Sequence, residues 1–256
     1  NKAIENGEIP IDSQLAKERI DSIEYKVIDD IVAKLTERWG DYSEMNHRIR
    51  FSSGLPYNRF FAVFVHEIFH ALSGQIEAIY TAREKFEVEP DYVNNYSLKV
   101  GLGFNKPSNT APELSPETLD MWWLNEALTD QAMIDLTKEK DPCAYGNERK
   151  LLKKLIDMGI PKDKFYAAYY ENFNTAKNTE EEKVEHRLPN TRELFKFTNE
   201  KFGPGFLLKL DKFIASYEKE KKHSGSEMAL KAWEEHGEDF PQFLNNFIAE
   251  KKLETK

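Results

Sequence analysis

Two histidines and a glutamate stand within one helical step of each other in Asn58–Gly74 (NRFFAVFVHEIFHALSG), where His66-Glu67-Ile68-Phe69-His70 forms an HExxH pattern. Residues four apart on an α-helix differ by about 40° around the axis, so His66 and His70 point the same way and can grip one metal ion. Glu67 stands to one side, within reach of a water on that ion. An HExxH pattern also fits an ordinary buried helix, so a second stretch has to decide between the two. That stretch is Trp123–Asp130 (WLNEALTD), where Glu126 and Asp130 share a helix face one turn apart. Burying two unpaired carboxylates beside tryptophans is costly, and a metal ion with a histidine N–H would relieve the cost.

The elements that must position these residues follow from the apolar spacing. In the HExxH stretch Asn58 suits a helix cap and Gly74 a helix end, while Phe61, Val65, Ile68, Phe69 and Leu72 supply a core-facing stripe. Ahead of it, Ile20, Ile23, Val27, Ile31, Leu35 and Trp39 predict one long amphipathic helix over 12–39, stopped by Gly40. His47–Ser53 predicts a short strand, turned into the HExxH helix by Gly54 and Pro56. Beyond Gly74, Ile76–Phe86 suggests a helical segment and Tyr96–Phe104 a strand or hairpin arm. The Gly101-Leu102-Gly103 within that arm is too little for a phosphate loop. Asn105–Ser115 reads as a surface loop ending at a Ser115 cap, with a largely buried helix over 116–138 and Asp141-Pro142 after it. The remainder predicts helices over 147–158, 162–173, 189–202, 205–222, 226–235 and 239–253. The fold class is therefore α+β and mostly helical, a mixed lobe over 1–140 followed by an all-helical lobe over 141–256.

HEIFH followed by NEALTD resembles the gluzincin metallopeptidases of the thermolysin-like clan. The likeness is close over 60–74 and 122–136 and holds only in outline elsewhere. The 55 residues between His70 and Glu126 exceed the spacing in thermolysin, and no particular family of the clan is matched. The resemblance implies a zincin-like fold with the active site between two lobes. It implies His66, His70 and Glu126 as ligands of one zinc ion, Glu67 as general base, Asp130 as acceptor for His66, and Asn125 as a support for the His70 ring. Two neutral imidazoles and a carboxylate leave zinc an open position, where the pKa of a bound water falls to about 7. Glu67 would take that water's proton during attack on a peptide carbonyl and return it to the leaving amine.

Gluzincins also draw a transition-state donor from the C-terminal helical part. His186, 60 residues after Glu126, is one candidate. Tyr170, with Tyr166 and Tyr169 beside it, is the rival, although tyrosines at helical spacing equally suit a core. Arg187 suits a substrate carbonyl or simple exposure. Of Trp122 and Trp123, one is expected in the core and the other as a wall of the metal pocket. Arg48–Ser53 is the candidate sheet edge for an added peptide strand. His47, His223 and His236 lack a partner at ligand spacing, and Cys143 has no histidine near it in sequence to activate it.

A net charge of -9 and a pI near 5.4 argue against a nucleic-acid or anionic-membrane surface and favour a polypeptide or small-molecule partner, which the resemblance narrows to a peptide or protein substrate. At 256 residues and 40% apolar content the chain can bury a sizeable core, and no run approaches the ~20 apolar residues of a membrane span. The single cysteine excludes an intramolecular disulfide and a cysteine-rich zinc knuckle. Because the chain begins at Asn1, a targeting segment upstream fits, which tilts the expectation toward a secreted or cell-envelope protein. Nothing in the sequence speaks to oligomeric state. Two other functions share the motifs, a catalytically silent zinc or peptide-binding domain and a zinc hydrolase of a non-peptide amide. Retention of Glu67 speaks against the silent domain, since metal binding alone would not need it.

Overall fold

Over residues 11–29, 31, 39–43, 47–81, 93–105, 119–138, 145–171, 188–218 and 224–251, the ones this computed structural model describes, the chain forms a mostly helical α+β fold. The N-terminal segment is not one helix. Helix α1 (Ser13–Asp21) is capped by the Asp12 carboxylate, which accepts from the Leu15 N–H, and it ends at Ser22. Strand β1 (Glu24–Ile28) follows, because Tyr25, Val27 and Ile28 favour extended backbone and find a partner strand. Gly40, expected to stop a helix, instead opens strand β2 (Gly40–Ser43). Strand β3 (Arg48–Ser52) lies where the sequence places it, but in the middle of a three-stranded sheet. It runs parallel to β1 on one side and antiparallel to β2 on the other, so it has no free edge to offer a peptide.

Helix α2 (Tyr57–Leu72) carries the HExxH motif. Pro56 rather than Asn58 occupies its cap position, and Asn58 already lies in the first turn. The buried face is drawn by Ala62, Val63, Val65, Phe69 and Leu72, whereas Phe61 is 57% exposed and leaves the expected stripe. Gly74 follows the helix end, and its N–H donates to the Tyr169 carbonyl at 2.8 Å. A Cβ there would stand 2.1 Å from the Glu171 carbonyl oxygen, so only glycine fits.

The segment after Gly74 is a strand and not a helix. Strand β4 (Gln75–Thr81) opens an antiparallel four-stranded sheet with β5 (Val93–Val100), β6 (Gly103–Asn105) and β7 (Leu119–Asp120), in that order. Its Ile76, Ile79, Tyr80 and Thr81 are residue types that favour strands once a pairing partner exists. Gly101 turns β5 into β6 with φ +59°, which is the structural use of the Gly-Leu-Gly run. Helix α3 (Trp122–Thr137) starts later than the expected Pro116, because β7 and a left-handed Met121 precede it. Ser115 and Pro116 lie outside the described residues.

The helices that follow are α4 (Gly146–Asp157), α5 (Lys162–Tyr169), α6 (Pro189–Phe202), α7 (Phe206–Glu218), α8 (Gly225–His236) and α9 (Phe240–Glu250). Their starts fall within a residue of expectation, and α5 ends four residues early, at Tyr169, while residues 219–222, the end of the helix expected over 205–222, lie outside the described residues. Two carboxylates bond to main-chain N–H groups at distant helix starts. Asp211 on α7 accepts from the Met121 N–H at 2.8 Å, and Glu171 accepts from the Asn190 and Thr191 N–H groups of α6. One hydrophobic core joins residues from Ile11 to Leu244, and a smaller one, of Ile23, Ile49, Phe51, Val63 and Ala71, glues the first sheet to α2. Among the described residues no helix is long and apolar enough to cross a membrane.

Candidate metal centre

Helices α2 and α3 pack so that the two chemical stretches meet. His66 Nε2 lies 3.2 Å from Glu126 Oε2, His70 Nε2 lies 3.3 Å from Glu126 Oε1, and the two imidazole nitrogens are 3.1 Å apart. All three side chains are buried. Zinc bonds of about 2.0–2.1 Å at tetrahedral angles place ligand atoms about 3.3 Å from one another. The two nitrogens match that edge length with each other and each matches it with a different oxygen of Glu126, and a set of two imidazoles and one carboxylate within 4.8 Å suits a divalent ion of that type. The buried His66-His70-Glu126 group can therefore hold a metal ion.

Without an ion these charges lean on each other. Burial, the largest influence on His66, lowers its pKa, but the neighbouring carboxylates of Asp130 and Glu126 outweigh it and hold the imidazole up to about 10. For Glu126 burial raises the pKa, and the facing histidines outweigh it and bring the carboxyl down to about 2. A metal must then displace a proton from His66. Glu67 behaves differently. Burial raises its carboxyl above the usual range, the histidines pull it back only in part, and Glu126 and Asp41 add to the rise. A carboxylate with increased proton affinity suits a base that must later act as acid.

The surroundings differ in part from the expected set. Asp130 Oδ1 is 3.6 Å from His66 Nδ1, an electrostatic contact longer than a hydrogen bond. Its other oxygen is 2.7 Å from Arg149 Nε, so the fully buried Asp130 bridges His66 and a cation. Among the described residues no hydrogen bond joins Asn125 to the His70 ring. The Asn125 side-chain oxygen accepts from the Leu102 N–H at 3.1 Å and so pins the β5–β6 turn to α3. The group facing His70 Nδ1 is the Thr129 hydroxyl at 3.4 Å, itself 2.7 Å from the Tyr169 hydroxyl.

The start of α4 contributes two side chains. Tyr145 adopts a left-handed backbone with φ 54°, and its ring stacks on His66 at 5.6 Å and 13°. Burial first, then the charge of Glu126 and a hydrogen-bonding contact with it, push the Tyr145 hydroxyl well above the tyrosine range. Arg149 follows one turn later, its N–H donating to the Tyr145 carbonyl. Neither residue was singled out by sequence spacing. Tyr145 sits just after Asp141-Pro142 without any motif, and Arg149 finds its acid partner on another helix.

Trp123 is 2% exposed in the core, and Trp122 is 40% exposed with its ring parallel to that of His70 at 6.4 Å, so Trp122 is the one that walls the site. On the other side Gly40 of β2 passes so close that a Cβ would stand 3.3 Å from Glu67 Oε1. Tyr170 is not brought to the ligands and lines a separate cavity with Asp135 and Tyr166. His186, Arg187, Cys143 and His223 lie outside the described residues. His47 is structural, its ring nitrogens lying against the Tyr42 hydroxyl at 2.6 Å and the Arg19 carbonyl at 2.7 Å, and His236 stacks on Phe243.

No protein-family model, curated protein or solved structure matches this chain.

Proposed function

We propose that the chain is a zinc-dependent metallopeptidase of gluzincin type with a zincin-like catalytic arrangement. The observation that carries this reading is the convergence of His66, His70 and Glu126 within 4.8 Å of one another, with Glu67 buried beside them. Bound there, a zinc ion would polarise a carbonyl and supply an acidified water. The chain's own residues do the rest. Thr129 and Asp130 orient His70 and His66, and Arg149 keeps the charge of Asp130 matched. Glu67 accepts a proton as the nucleophile attacks and passes it to the leaving nitrogen. Tyr145, protonated throughout the neutral range, offers a donor to the oxygen that gains charge. The edge that can take a peptide as an added strand is β2, running over Glu67, in place of the central β3.

Metal analysis coupled to peptide-library cleavage tests the proposal. Glu67→Gln is expected to retain stoichiometric zinc and lose cleavage by more than about a hundredfold. Zinc-loaded Glu67→Gln that cleaves as fast as wild type would refute it.

A further inference from the structure

Strand β1 lies at the rim of the first sheet, with β3 on one side and, among the described residues, no strand on the other. The Glu24 N–H donates to the His47 carbonyl and the Ile28 carbonyl accepts from the Ser53 N–H, so these two residues turn their peptide groups toward β3. Lys26, between them and paired with Arg50, does the same by strand alternation, which leaves the N–H and C=O groups of Tyr25 and Val27 pointing outward. The Ile23 carbonyl points outward too, because it lies across its peptide bond from the Glu24 N–H. The Ile23 N–H is taken by the Ile20 carbonyl.

Tyr25 stacks on Phe64 of α2, and Val27 pairs with Phe51, which packs on Phe60 and Phe64, so both side chains project toward α2. Tyr25 is nonetheless 46% exposed and Val27 67%, and half-exposed Phe60 continues their apolar surface. Glu24 and Lys26 project from the opposite face, where Glu24 bonds to Arg48. An open edge with exposed apolar side chains is a template for another strand, and a central lysine guards such an edge unless the incoming strand sets an acid opposite it.

The strand itself meets that condition. Ile23-Glu24-Tyr25-Lys26-Val27 reads apolar, acid, aromatic, base, apolar, which complements its own copy run antiparallel about Tyr25. In that register the two Tyr25 residues form a hydrogen-bonded pair, Glu24 stands opposite the partner's Lys26, and Val27 stands opposite the partner's Ile23. Each Val27 N–H then donates to the partner's Ile23 carbonyl. Centring the pair on Lys26 instead would set lysine against lysine.

We infer that β1 pairs antiparallel with β1 of a second copy of this chain, centred on Tyr25, so that two three-stranded sheets become one continuous sheet across a two-fold axis. Strand β2, the edge proposed for a peptide, stays at the outer rims and remains open. The pairing requires no metal, so it stands or falls independently of the proposed peptidase activity.

Sedimentation velocity on the chain, with and without zinc, tests the inference. A monomer–dimer equilibrium with a Kd of about 10–100 µM is expected in both forms, as suits a few main-chain bonds and a small apolar patch. Lys26→Glu sets acid against acid at two places, Glu24→Lys sets base against base, and each should weaken self-association by about tenfold or more. An equimolar mixture of the two variants should dimerise again, each chain supplying the charge that the other lacks. Val27→Pro removes an outward N–H that β3 does not use and should also weaken the dimer by about tenfold or more. A circular-dichroism melt of each variant confirms folding before sedimentation. A wild-type chain that stays monomeric at a concentration of about 500 µM would overturn the inference, leaving the edge to some other strand. A dimer indifferent to both Lys26→Glu and Val27→Pro, or a mixture of folded charge variants that fails to associate, would overturn it equally.

Discussion

Stripping the metal should make the stability of this protein depend on pH in a way set by one pair of side chains. His66 is held at about 10 in the folded chain against an ordinary 6.5, so its contribution is fully present below pH 6.5 and is lost as pH rises toward 10. Glu126 is held at about 2 against 4.5, so its contribution is present above pH 4.5 and is lost as pH falls toward 2. Both descriptions concern largely the same contact seen from either end, and adding them would count it twice. Holding His66 at about 10 corresponds to about 5 kcal/mol at most, a large part of the ~5–15 kcal/mol that holds a typical domain together. The chelator-treated protein should therefore be most stable between about pH 4.5 and 6.5, and its urea midpoint should fall steadily from pH 6.5 to 9. Zinc competes with the same proton, so its apparent affinity should climb about tenfold per pH unit over that interval. Urea unfolding at pH 5.5, 7.5 and 9, together with histidine NMR of the metal-free chain, measures both quantities. Equal midpoints at pH 5.5 and 9, with His66 titrating near 6.5, would show that the three side chains do not face each other as described.

Arg149→Met leaves the Asp130 carboxylate buried without its cation and is expected to cost about 2–4 kcal/mol in urea unfolding. Zinc affinity in the same variant should drop about 10- to 100-fold, read by competition with a chelator. Tyr145→Phe should keep zinc at one per chain and lower kcat by about 10- to 1,000-fold with little change in KM, since the hydroxyl is assigned to the transition state; an unchanged kcat would remove that role. Gly74→Ala drives a methyl into the Glu171 carbonyl and should destabilise by several kcal/mol or prevent folding, visible as a lost or strongly lowered thermal transition.

The chemistry and the surroundings of this site differ in how far they can be read along the chain. His66 and His70 are four apart on one helix, so their common direction follows from helical geometry alone. Glu126 and Asp130 obey the same rule on a second helix, and a buried carboxylate pair there asks for partners. What periodicity cannot supply is which distant group answers. Asp130 finds Arg149, His70 finds Thr129 backed by Tyr169, and each pairing depends on how α3, α4 and α5 pack together. The errors in secondary structure have a related cause. Ile20, Ile23 and Val27 fit a helical stripe, yet strand pairing with β3 decides the outcome for 24–28, because β-branched residues accept either backbone and take the one that has a partner. The same holds for Gln75–Thr81 against β5. Moving the sheet boundary then moves the edge proposed for a peptide, since β3, read as an edge, is central, and the backbone that rides over Glu67 belongs to β2. Gly40 makes that possible. Any side chain there would press on Val63 at 2.6 Å and crowd Glu67, so a glycine expected to end a helix instead lets an edge strand reach the Glu67 carboxylate.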